Sequence, residues 1–172
     1  MKAEKLQHVF LGLGSNLGER EAALRRALAE IACFARIIRL SSVYETEPWG
    51  EVEGGNFYNL AAEIECGLPP GELLQRLLEI EKSMGRVRLR KYEARIIDLD
   101  ILLFDDLEYE NAELRIPHPL LTERRFVLQP LAEIAPERII PGSGLTVREA
   151  LKTCKDTKKV LRLEKQLNIE SS

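Results

Sequence analysis

Apolar residues recur along this chain with two different periods, which predict strands and helices in turn. Short runs rich in β-branched and aromatic residues predict strands at residues 6–13, 37–46, 57–65 and 96–104. Apolar residues at helical spacing, with charged residues between them, predict helices at residues 19–34, 69–84 and 122–134. Ser15 or Asn16 is expected to cap the first helix, and Gly85 is expected to end the second.

The C-terminal part of the chain gives weaker signals. Pro130 falls inside the third predicted helix and should end or kink it. Thr146 and Glu149 stand at capping-box spacing, which predicts a short final helix. The tail from Lys158 is charged and is expected to fray.

The order strand, helix, strand, strand, helix, strand predicts an α+β fold. It matches a ferredoxin-like split βαβ core with an antiparallel or mixed sheet and extra C-terminal helices. The chain has 172 residues, of which 45% are hydrophobic, so we expect a single domain. Its core should span about residues 6–153, followed by a charged tail at 158–172.

Composition and charge argue against several classes of protein. The chain contains no apolar run of about eighteen residues and no secretory signal, so we expect a cytoplasmic protein without a membrane span. Cys33, Cys66 and Cys154 are widely spaced and predict reduced, mostly buried thiols rather than a disulfide framework or a zinc site. The net charge of −3 argues against a nucleic-acid partner, and we expect a monomer.

Asp98 and Asp100 give the sharpest chemical signal. They interrupt an apolar predicted strand, where residues two apart project from the same face, roughly 6.5 Å apart along the chain. Magnesium binds one or two carboxylates together with phosphate oxygens and water, so the pair predicts a magnesium site for a nucleotide. The alternative is that the aspartates end a strand or pair with arginine, although like charges on a buried strand are costly without a cation. Glu81 is a candidate helper or an ordinary solvated helix residue.

A basic segment precedes the two carboxylates. Its five cations fall between residues 86 and 95 and are Arg86, Arg88, Arg90, Lys91 and Arg95. Phosphoryl transfer requires alignment of donor and acceptor and neutralisation of phosphate charge, and cations beside metal ligands supply both. The alternatives are a solvated basic loop and a weak nucleic-acid contact.

The remaining candidate residues are less specific. The stretch GLGSNLG does not have the spacing of the dinucleotide fingerprint and is interpreted as a tight strand-to-helix turn that can border the site. Trp49, Phe57 and Phe126 are either core residues or platforms for a ligand. Asn59, close to Phe57, favours the platform, because an amide can both donate to and accept from a heterocycle. His118 either donates to phosphate or is structural.

Taken together, these segments resemble the 6-hydroxymethyl-7,8-dihydropterin pyrophosphokinase family from about Phe10 to Pro136. The matching segments are LGLGSNLG, SSVYETEPWG, FYNLA, EKSMGRVR, ARIIDLDILLF and PHPLLTERRFVLQPLAEIAP. The resemblance implies that pyrophosphate is transferred from ATP to 6-hydroxymethyl-7,8-dihydropterin in folate biosynthesis, with release of AMP. It also implies two Mg²⁺ ions that bridge the ATP phosphates and are bound by Asp98 and Asp100.

The resemblance assigns further residues to the two substrates. It implies that the pterin lies between the rings of Phe57 and Phe126 and hydrogen-bonds to Asn59. The loop residues implied to contact the pterin are Thr46, Pro48, Trp49 and Gly50. The residues implied to bind ATP are Glu81, Arg86, Arg88, Arg95, Ile101, His118 and Arg124. Arg86 and Arg95 are further implied to act in catalysis together with the two aspartates.

One segment departs from the family pattern. Glu93 and Ala94 stand where the family often has a Gly-Pro pair, and Lys91 stands where an arginine is common. Because the family's basic loop closes over the substrates, the departure bears on loop kinetics rather than on reaction type. Two alternatives stay open. One is a non-catalytic nucleotide- or pterin-binding module; the other is an RNA-binding α+β domain, which the acidic strand and the negative net charge disfavour.

Overall fold

The computed structural model of the chain describes residues 5–48, 54–85 and 96–167. The first part of the chain contains β1 (Gln7–Ser15), α1 (Arg20–Ile31), β2 (Arg36–Leu40), β3 (Tyr44–Thr46), β4 (Phe57–Cys66), α2 (Pro70–Ser83) and β5 (Asp98–Phe104). The second part contains β6 (Tyr109–Glu110), β7 (Arg115–Ile116), a 3₁₀ turn (Leu121–Glu123), α3 (Arg125–Ile134), β8 (Ile139–Ile140), β9 (Leu145–Thr146), α4 (Val147–Thr153) and β10 (Val160–Arg162).

The main sheet has the strand order β10-β3-β4-β1-β5, and β2 also pairs with β4. All of its described strand pairs are antiparallel. β1 lies between β4 and β5, so residues of three strands that are distant in sequence stand side by side. The prediction of an α+β fold with an antiparallel sheet is confirmed.

The two faces of the sheet bury different sets of side chains. On β1, Val9, Leu11 and Leu13 belong to the apolar cluster that includes the buried sides of α1 and α2. Phe10 belongs to a second cluster, formed with α3 and α4 on the opposite face. This division follows from the alternation of side chains along a strand. The site described below lies on the α3 face.

The predicted cap of the first helix by Ser15 or Asn16 is wrong. Ser15 is the last residue of β1, and α1 begins only at Arg20, without a side-chain cap. Asn16 instead donates from Nδ2 to the backbone oxygen of Gly55 at 3.3 Å. Neither residue can cap the helix because the turn at residues 16–19 intervenes. The predicted end of α2 at Gly85 is confirmed, since Gly85 has φ +90° just beyond Ser83.

The strand predicted at residues 37–46 is divided into β2 and β3 by residues 41–43. At the break, the hydroxyl oxygen of Ser41 accepts a hydrogen bond from the backbone N–H of Ala61 at 2.9 Å. A side chain thus takes the place of a backbone partner in the ladder. Local apolar alternation carries no information about such an exchange, because the partner strand is distant in sequence.

Helix α3 continues through Pro130 to Ile134, the predicted last residue, so Pro130 does not end the helix, which was one of its two expected effects. Proline inside a helix costs about 3 kcal/mol, because it removes one hydrogen bond and clashes with the preceding turn. Against this, Leu128 and Leu131 are fully buried and Ile134 is 6% exposed. Burial of each of these side chains contributes about 1.5–3 kcal/mol, which exceeds the cost of the proline.

Up to residue 167, the C-terminal part of the chain packs against the rest of the protein more than its charge suggested. The capping box is confirmed, because the hydroxyl of Thr146 accepts from the N–H of Glu149 at 3.2 Å. The expectation of a frayed tail is wrong for the described residues up to 167. β10 pairs with β3, and Leu167 is only 3% exposed within the core. Pairing satisfies the backbone, while the charged side chains remain at the surface.

A partly buried network of hydrogen bonds connects α3 to β3. Glu133 accepts hydrogen bonds from the Tyr44 hydroxyl and from the Ser42 backbone N–H, both at 2.7 Å. Arg162 of β10 donates from Nε to the Ser42 hydroxyl at 3.1 Å. Because Tyr44 is 3% exposed, loss of its partner would leave a buried hydroxyl without a hydrogen bond.

Tyr44 should make the stability of the protein depend on alkaline pH. Burial, and then the hydrogen bond to Glu133, raise the pKa of Tyr44 well above its ordinary value of 10.0. The unfolded chain therefore loses this proton first, so the free energy of unfolding is unaffected below about pH 10 and decreases by about 1.4 kcal/mol per pH unit above it. Urea unfolding near pH 8 should show Tyr44→Phe to be about 1–3 kcal/mol less stable. If the free energy of unfolding decreased equally with pH above about pH 10 in wild type and in Tyr44→Phe, this assignment would be contradicted.

The cysteines and the helices bear on two further expectations. Cys66 is buried and Cys154 is partly buried, but Cys33 is exposed just beyond the end of α1. The expectation of mostly buried thiols is therefore wrong for Cys33.

Among the described residues, no helix has both the length and the apolar character that a membrane span requires.

Candidate active site

A cavity of about 290 Å³ lies between the sheet and the beginning of α3. This volume is near the lower end of the range of about 300–1,000 Å³ for small-molecule sites. The predicted site residues that line it are Thr46, Phe57, Asn59, Asp98, Asp100, Arg124 and Phe126. The fold thus gathers residues from β3, β4, β5 and the start of α3 around one space.

Two glycines form the floor of this cavity. Gly12 pairs with Asp100 and Gly14 pairs with Asp98 across β1 and β5. A Cβ on Gly14 would lie 2.4 Å from Oδ1 of Asn59, so the space above the strand exists only because the side chain is absent. The predicted strand ended at Leu13 with a turn from GLGSNLG, whereas β1 continues through Gly14 to Ser15, and Gly18 is the glycine that adopts positive φ in the turn.

Asp98 and Asp100 both line the cavity, as their spacing on one strand predicted. Both are partly exposed, and the side chain of Asp100 is 34% exposed. Partial exposure leaves both carboxylates open to a ligand in the cavity. Because Asp98 and Asp100 are two residues apart on one strand, their side chains project from the same face and place two oxygen-donor groups on one wall of the site.

His118 stands next to the carboxylates in a fixed orientation. Its Nδ1 accepts a hydrogen bond from the backbone N–H of Leu120 at 3.1 Å, which leaves the proton of the neutral ring on Nε2. Nε2 lies 3.9 Å from Oδ1 of Asp100. Burial and the Arg124 cation lower the pKa of His118 to about 4, against the opposing effect of Asp98. The ring is therefore a neutral hydrogen-bond donor near pH 7, not a cation.

Asn59 presents an amide edge in a defined orientation. It is 8% exposed and donates from Nδ2 to the hydroxyl oxygen of Thr46 at 2.7 Å. Its Oδ1 lies over Gly14, as the short distance to a Cβ at that position shows. An amide held in this way can recognise one arrangement of donors and acceptors on a planar ligand.

Two aromatic rings and one guanidinium complete the walls. Phe57 begins β4 and Phe126 is the second residue of α3, and both are partly buried at the cavity. The guanidinium carbon of Arg124 lies 5.6 Å from the centre of the Phe126 ring. A cation this close to an aromatic face places positive charge next to an apolar surface.

Several predicted site residues lie elsewhere. Glu81 is 2% exposed on α2, behind the sheet, and accepts from the N–H of Leu99 at 3.2 Å. The side chain of Ile101 belongs to the same α1–α2 cluster, and Pro48 is partly buried but does not line the cavity. Their roles in substrate binding stay predictions. The other predicted residues lie outside the described part of the chain, namely Trp49, Gly50, Arg86, Arg88 and Arg95.

Sequence reasoning missed part of the site. The stretch GLGSNLG was expected to border the site, and Gly12 and Gly14 do so, but Glu47, Leu120 and Val127 also line the cavity and were not predicted. A signal for the floor was present, because glycine replaces the expected side chain at alternate positions in the run F-L-G-L-G. No comparable sequence pattern marked Leu120 and Val127, because their position at the cavity depends on how α3 packs against the sheet.

The donor set at the aspartates was compared with what different metals require. Within residues 5–48, 54–85 and 96–167, no group of three or more His, Cys, Asp or Glu side chains could hold a metal ion. Two carboxylates alone do not make a structural zinc site. They fit Mg²⁺, which takes one or two carboxylates and completes its shell with phosphate oxygens and water.

Comparison with known proteins agrees with this geometry. Residues 10–136 match the sequence model of the family described as 7,8-dihydro-6-hydroxymethylpterin-pyrophosphokinase (HPPK). The chain belongs to the HPPK family. The matched span includes every residue that lines the cavity, from Gly12 to Val127, whereas residues 137–172 lie beyond it.

HPPK relatives cover most of the chain. A 2-amino-4-hydroxy-6-hydroxymethyldihydropteridine pyrophosphokinase from Methylorubrum extorquens is 42% identical over 148 residues, which are 85% of this chain and 92% of the relative. The protein of the same name from Bacillus subtilis is 45% identical over 127 residues, 73% of this chain and 76% of the relative.

Solved structures support the fold. A wild-type HPPK-DHPS from Plasmodium falciparum, crystallised with SDX-DHP, superposes with a TM-score of 0.71 at 20% identity. The alignment covers 88% of this chain and 45% of that chain, so this chain spans about half of the solved protein. At this identity the structural similarity is evidence for the fold alone.

Proposed function

We propose that this protein transfers the terminal diphosphate of ATP to the hydroxymethyl group of 6-hydroxymethyl-7,8-dihydropterin, as a diphosphotransferase of folate biosynthesis. The observation that carries the proposal is the pair Asp98 and Asp100 on the wall of a cavity that also presents the fixed amide of Asn59. Membership of the HPPK family and relatives of the same name at 42% and 45% identity support it.

The pterin fits the part of the cavity that combines flat apolar walls with one amide edge. Phe57 and Phe126 supply aromatic surface for a planar bicyclic ring, and Asn59 supplies hydrogen bonds to its edge. Thr46 orients that amide. Pro48 and Trp49 are further candidates for pterin contacts on the strength of the family resemblance.

The phosphates of ATP are assigned to the end of the cavity at β5. Asp98 and Asp100 are the residues that would hold Mg²⁺, and we propose two ions, which when bound supply positive charge to the phosphate oxygens. Arg124 adds a cation to the same cavity, and neutral His118 can donate from Nε2. Glu81, Arg86, Arg88, Arg95 and Ile101 are proposed ATP-binding residues through the resemblance alone, with Arg86 and Arg95 also proposed to act in catalysis.

The proposed reaction is a single in-line displacement. The hydroxymethyl oxygen of the pterin forms a bond to the β-phosphorus while the bond from that phosphorus to the oxygen bridging the α-phosphate breaks. AMP leaves with the bridging oxygen, and the hydroxyl proton passes to solvent. Such a transfer depends on alignment and charge stabilisation more than on a strong base.

The finer description of the fold is also a proposal. Each of α1 and α2 connects two strands that lie on either side of a third, antiparallel strand, and this supports a ferredoxin-like core. The single domain, the monomeric state and the cytoplasmic location stay proposals that rest on the sequence.

The proposed activity is tested by product analysis. The purified protein is incubated with MgATP and 6-hydroxymethyl-7,8-dihydropterin, and nucleotides are separated by chromatography, with controls lacking pterin or containing excess chelator. AMP that depends on both pterin and Mg²⁺ is the expected result. ADP would indicate an ordinary kinase, and nucleotide binding without any product would favour the non-catalytic binding module.

A further inference from the structure

The C-terminal segment, residues 154–167, contacts two parts of the chain that line the cavity. It contacts the beginning of α3, which carries Arg124 and Phe126. It also pairs with β3 and accepts from the N–H of Glu47, and both Thr46 and Glu47 line the cavity. The segment lies beyond the span that matches the HPPK family.

Arg125 makes the contact on the α3 side. Its backbone N–H donates to Oδ2 of Asp156 at 3.0 Å and its Nε donates to the Asp156 backbone oxygen at 2.9 Å. Its Nη2 donates to the backbone oxygen of Cys154 at 3.1 Å. The other carboxylate oxygen of Asp156 accepts from the Lys158 N–H at 3.0 Å, so the segment is itself held in a turn.

The contacts of Arg125 affect the site because its two neighbours in the chain line the cavity. Arg125 is the first residue of α3 and stands between Arg124 and Phe126, both of which line the cavity. The first N–H groups of a helix have no partner within the helix, and here the segment supplies one. A shift of Arg125 therefore moves both neighbouring side chains.

The contact on the β3 side is made by backbone groups. Val160 pairs with Thr46 and Arg162 pairs with Tyr44 in the β10–β3 ladder. The N–H of Glu47 donates to the backbone oxygen of Lys159 at 3.2 Å. Thr46 orients Asn59, so the segment that contacts Arg125, next to Phe126, also pairs with the strand that orients the proposed pterin amide.

We propose that the C-terminal segment fixes the position of Phe126 and Arg124 relative to Thr46 and the Asn59 amide that Thr46 orients, and that Arg125 is a positioning residue that acts through Phe126 and Arg124. Identification of the ligand rests on the function proposed above. Dispersion contacts weaken steeply with distance, and a gap of about 0.5–1 Å removes about a quarter to a half of their energy. A wall that is free to shift should therefore bind a planar ring less tightly.

The test compares Arg125→Met with wild type and with Arg148→Met in the full chain. Arg148 is a matched control because it is an exposed arginine of α4, paired with Glu137 and absent from the cavity. The dissociation constant of 6-hydroxymethyl-7,8-dihydropterin is measured with Mg²⁺ and a non-hydrolysable ATP analogue, and kcat, KM and Tm are measured alongside. We expect Arg125→Met to raise the pterin Kd and KM on the order of tenfold, with kcat reduced less than about threefold.

The controls separate positioning from stability. Arg148→Met should leave the pterin Kd within about twofold of wild type, and Arg125→Lys, which keeps one donor group, should recover part of the lost affinity. An unchanged Kd in Arg125→Met, whatever its Tm, would overturn the proposal, as would an equal rise in Arg148→Met. Should Arg125→Met fail to fold, Asp156→Asn decides by the same comparison, with an expected rise of about threefold.

The same data distinguish this inference from the proposed function. Wild-type protein that releases no AMP would contradict the proposed function. Wild-type protein that releases AMP, together with an Arg125→Met protein of equal pterin affinity, would contradict only the role of the C-terminal segment.

Discussion

Replacing Asp98 or Asp100 with asparagine is expected to lower kcat by about 1,000-fold or more while leaving the fold intact. Each substitution removes one of the negative charges that are proposed to bind Mg²⁺, and the loss of such electrostatic stabilisation has effects of about this size. Both residues are partly exposed, so the structure around them does not depend on filling a tightly packed space. We therefore expect only a small change in Tm.

The measurement is AMP formation at saturating MgATP and pterin, with circular dichroism to confirm the fold. Asp106→Asn is a matched control, because Asp106 follows β5 closely but its side chain is 92% exposed and does not line the cavity. It should retain wild-type turnover. Near-normal turnover in Asp98→Asn or Asp100→Asn would show that the metal assignment is wrong.

Gly14→Ala is expected to lower kcat/KM for the pterin by about 100-fold, the loss that a displacement of about 1 Å can cause in an active site. The new Cβ would lie 2.4 Å from Oδ1 of Asn59, which is too close for two non-bonded atoms. Asn59 can move away only by giving up its hydrogen bond to Thr46. The substitution therefore disturbs the amide that is proposed to recognise the pterin edge.

Two other glycines provide comparisons. A Cβ on Gly12 would meet Leu102 at 3.4 Å, an ordinary contact, so Gly12→Ala should have a smaller effect. A Cβ on Gly71 in α2 would meet no atom within 4 Å, and Gly71→Ala should leave kinetics unchanged. If Gly14→Ala and Gly71→Ala gave the same pterin kcat/KM, the floor would not have the role assigned to it.

The parts of the fold that depend on local sequence were predictable. The alternation around Asp98 and Asp100 placed both on one face of β5, and the spacing of Thr146 and Glu149 gave the cap of α4. These features depend on residues a few positions apart. A single period is then enough to predict which way a side chain points.

The parts that depend on distant residues were not predictable from local patterns. The break at Ser41 requires Ala61, and the order at Leu167 requires the core formed by α1 and α2. Glu81 stands four residues after Leu77, on the apolar face of α2, but spacing alone did not distinguish a helper from a solvated residue; the structure buries it against β5, where it accepts from the N–H of Leu99. The family resemblance identified several residues that line the site, but it carried no information about the packing contacts that hold these residues in place.

The glycine floor has a consequence for inhibitors of this enzyme. A compound that rests on the backbone of β1 at Gly12 and Gly14 occupies a surface with no side chain that could be exchanged for a smaller one. Every replacement at these two positions adds atoms to the cavity, and at Gly14 the added atom meets Asn59. Resistance through the floor would therefore impair the natural substrate as well, so contacts with this strand should be harder to escape than contacts with the walls.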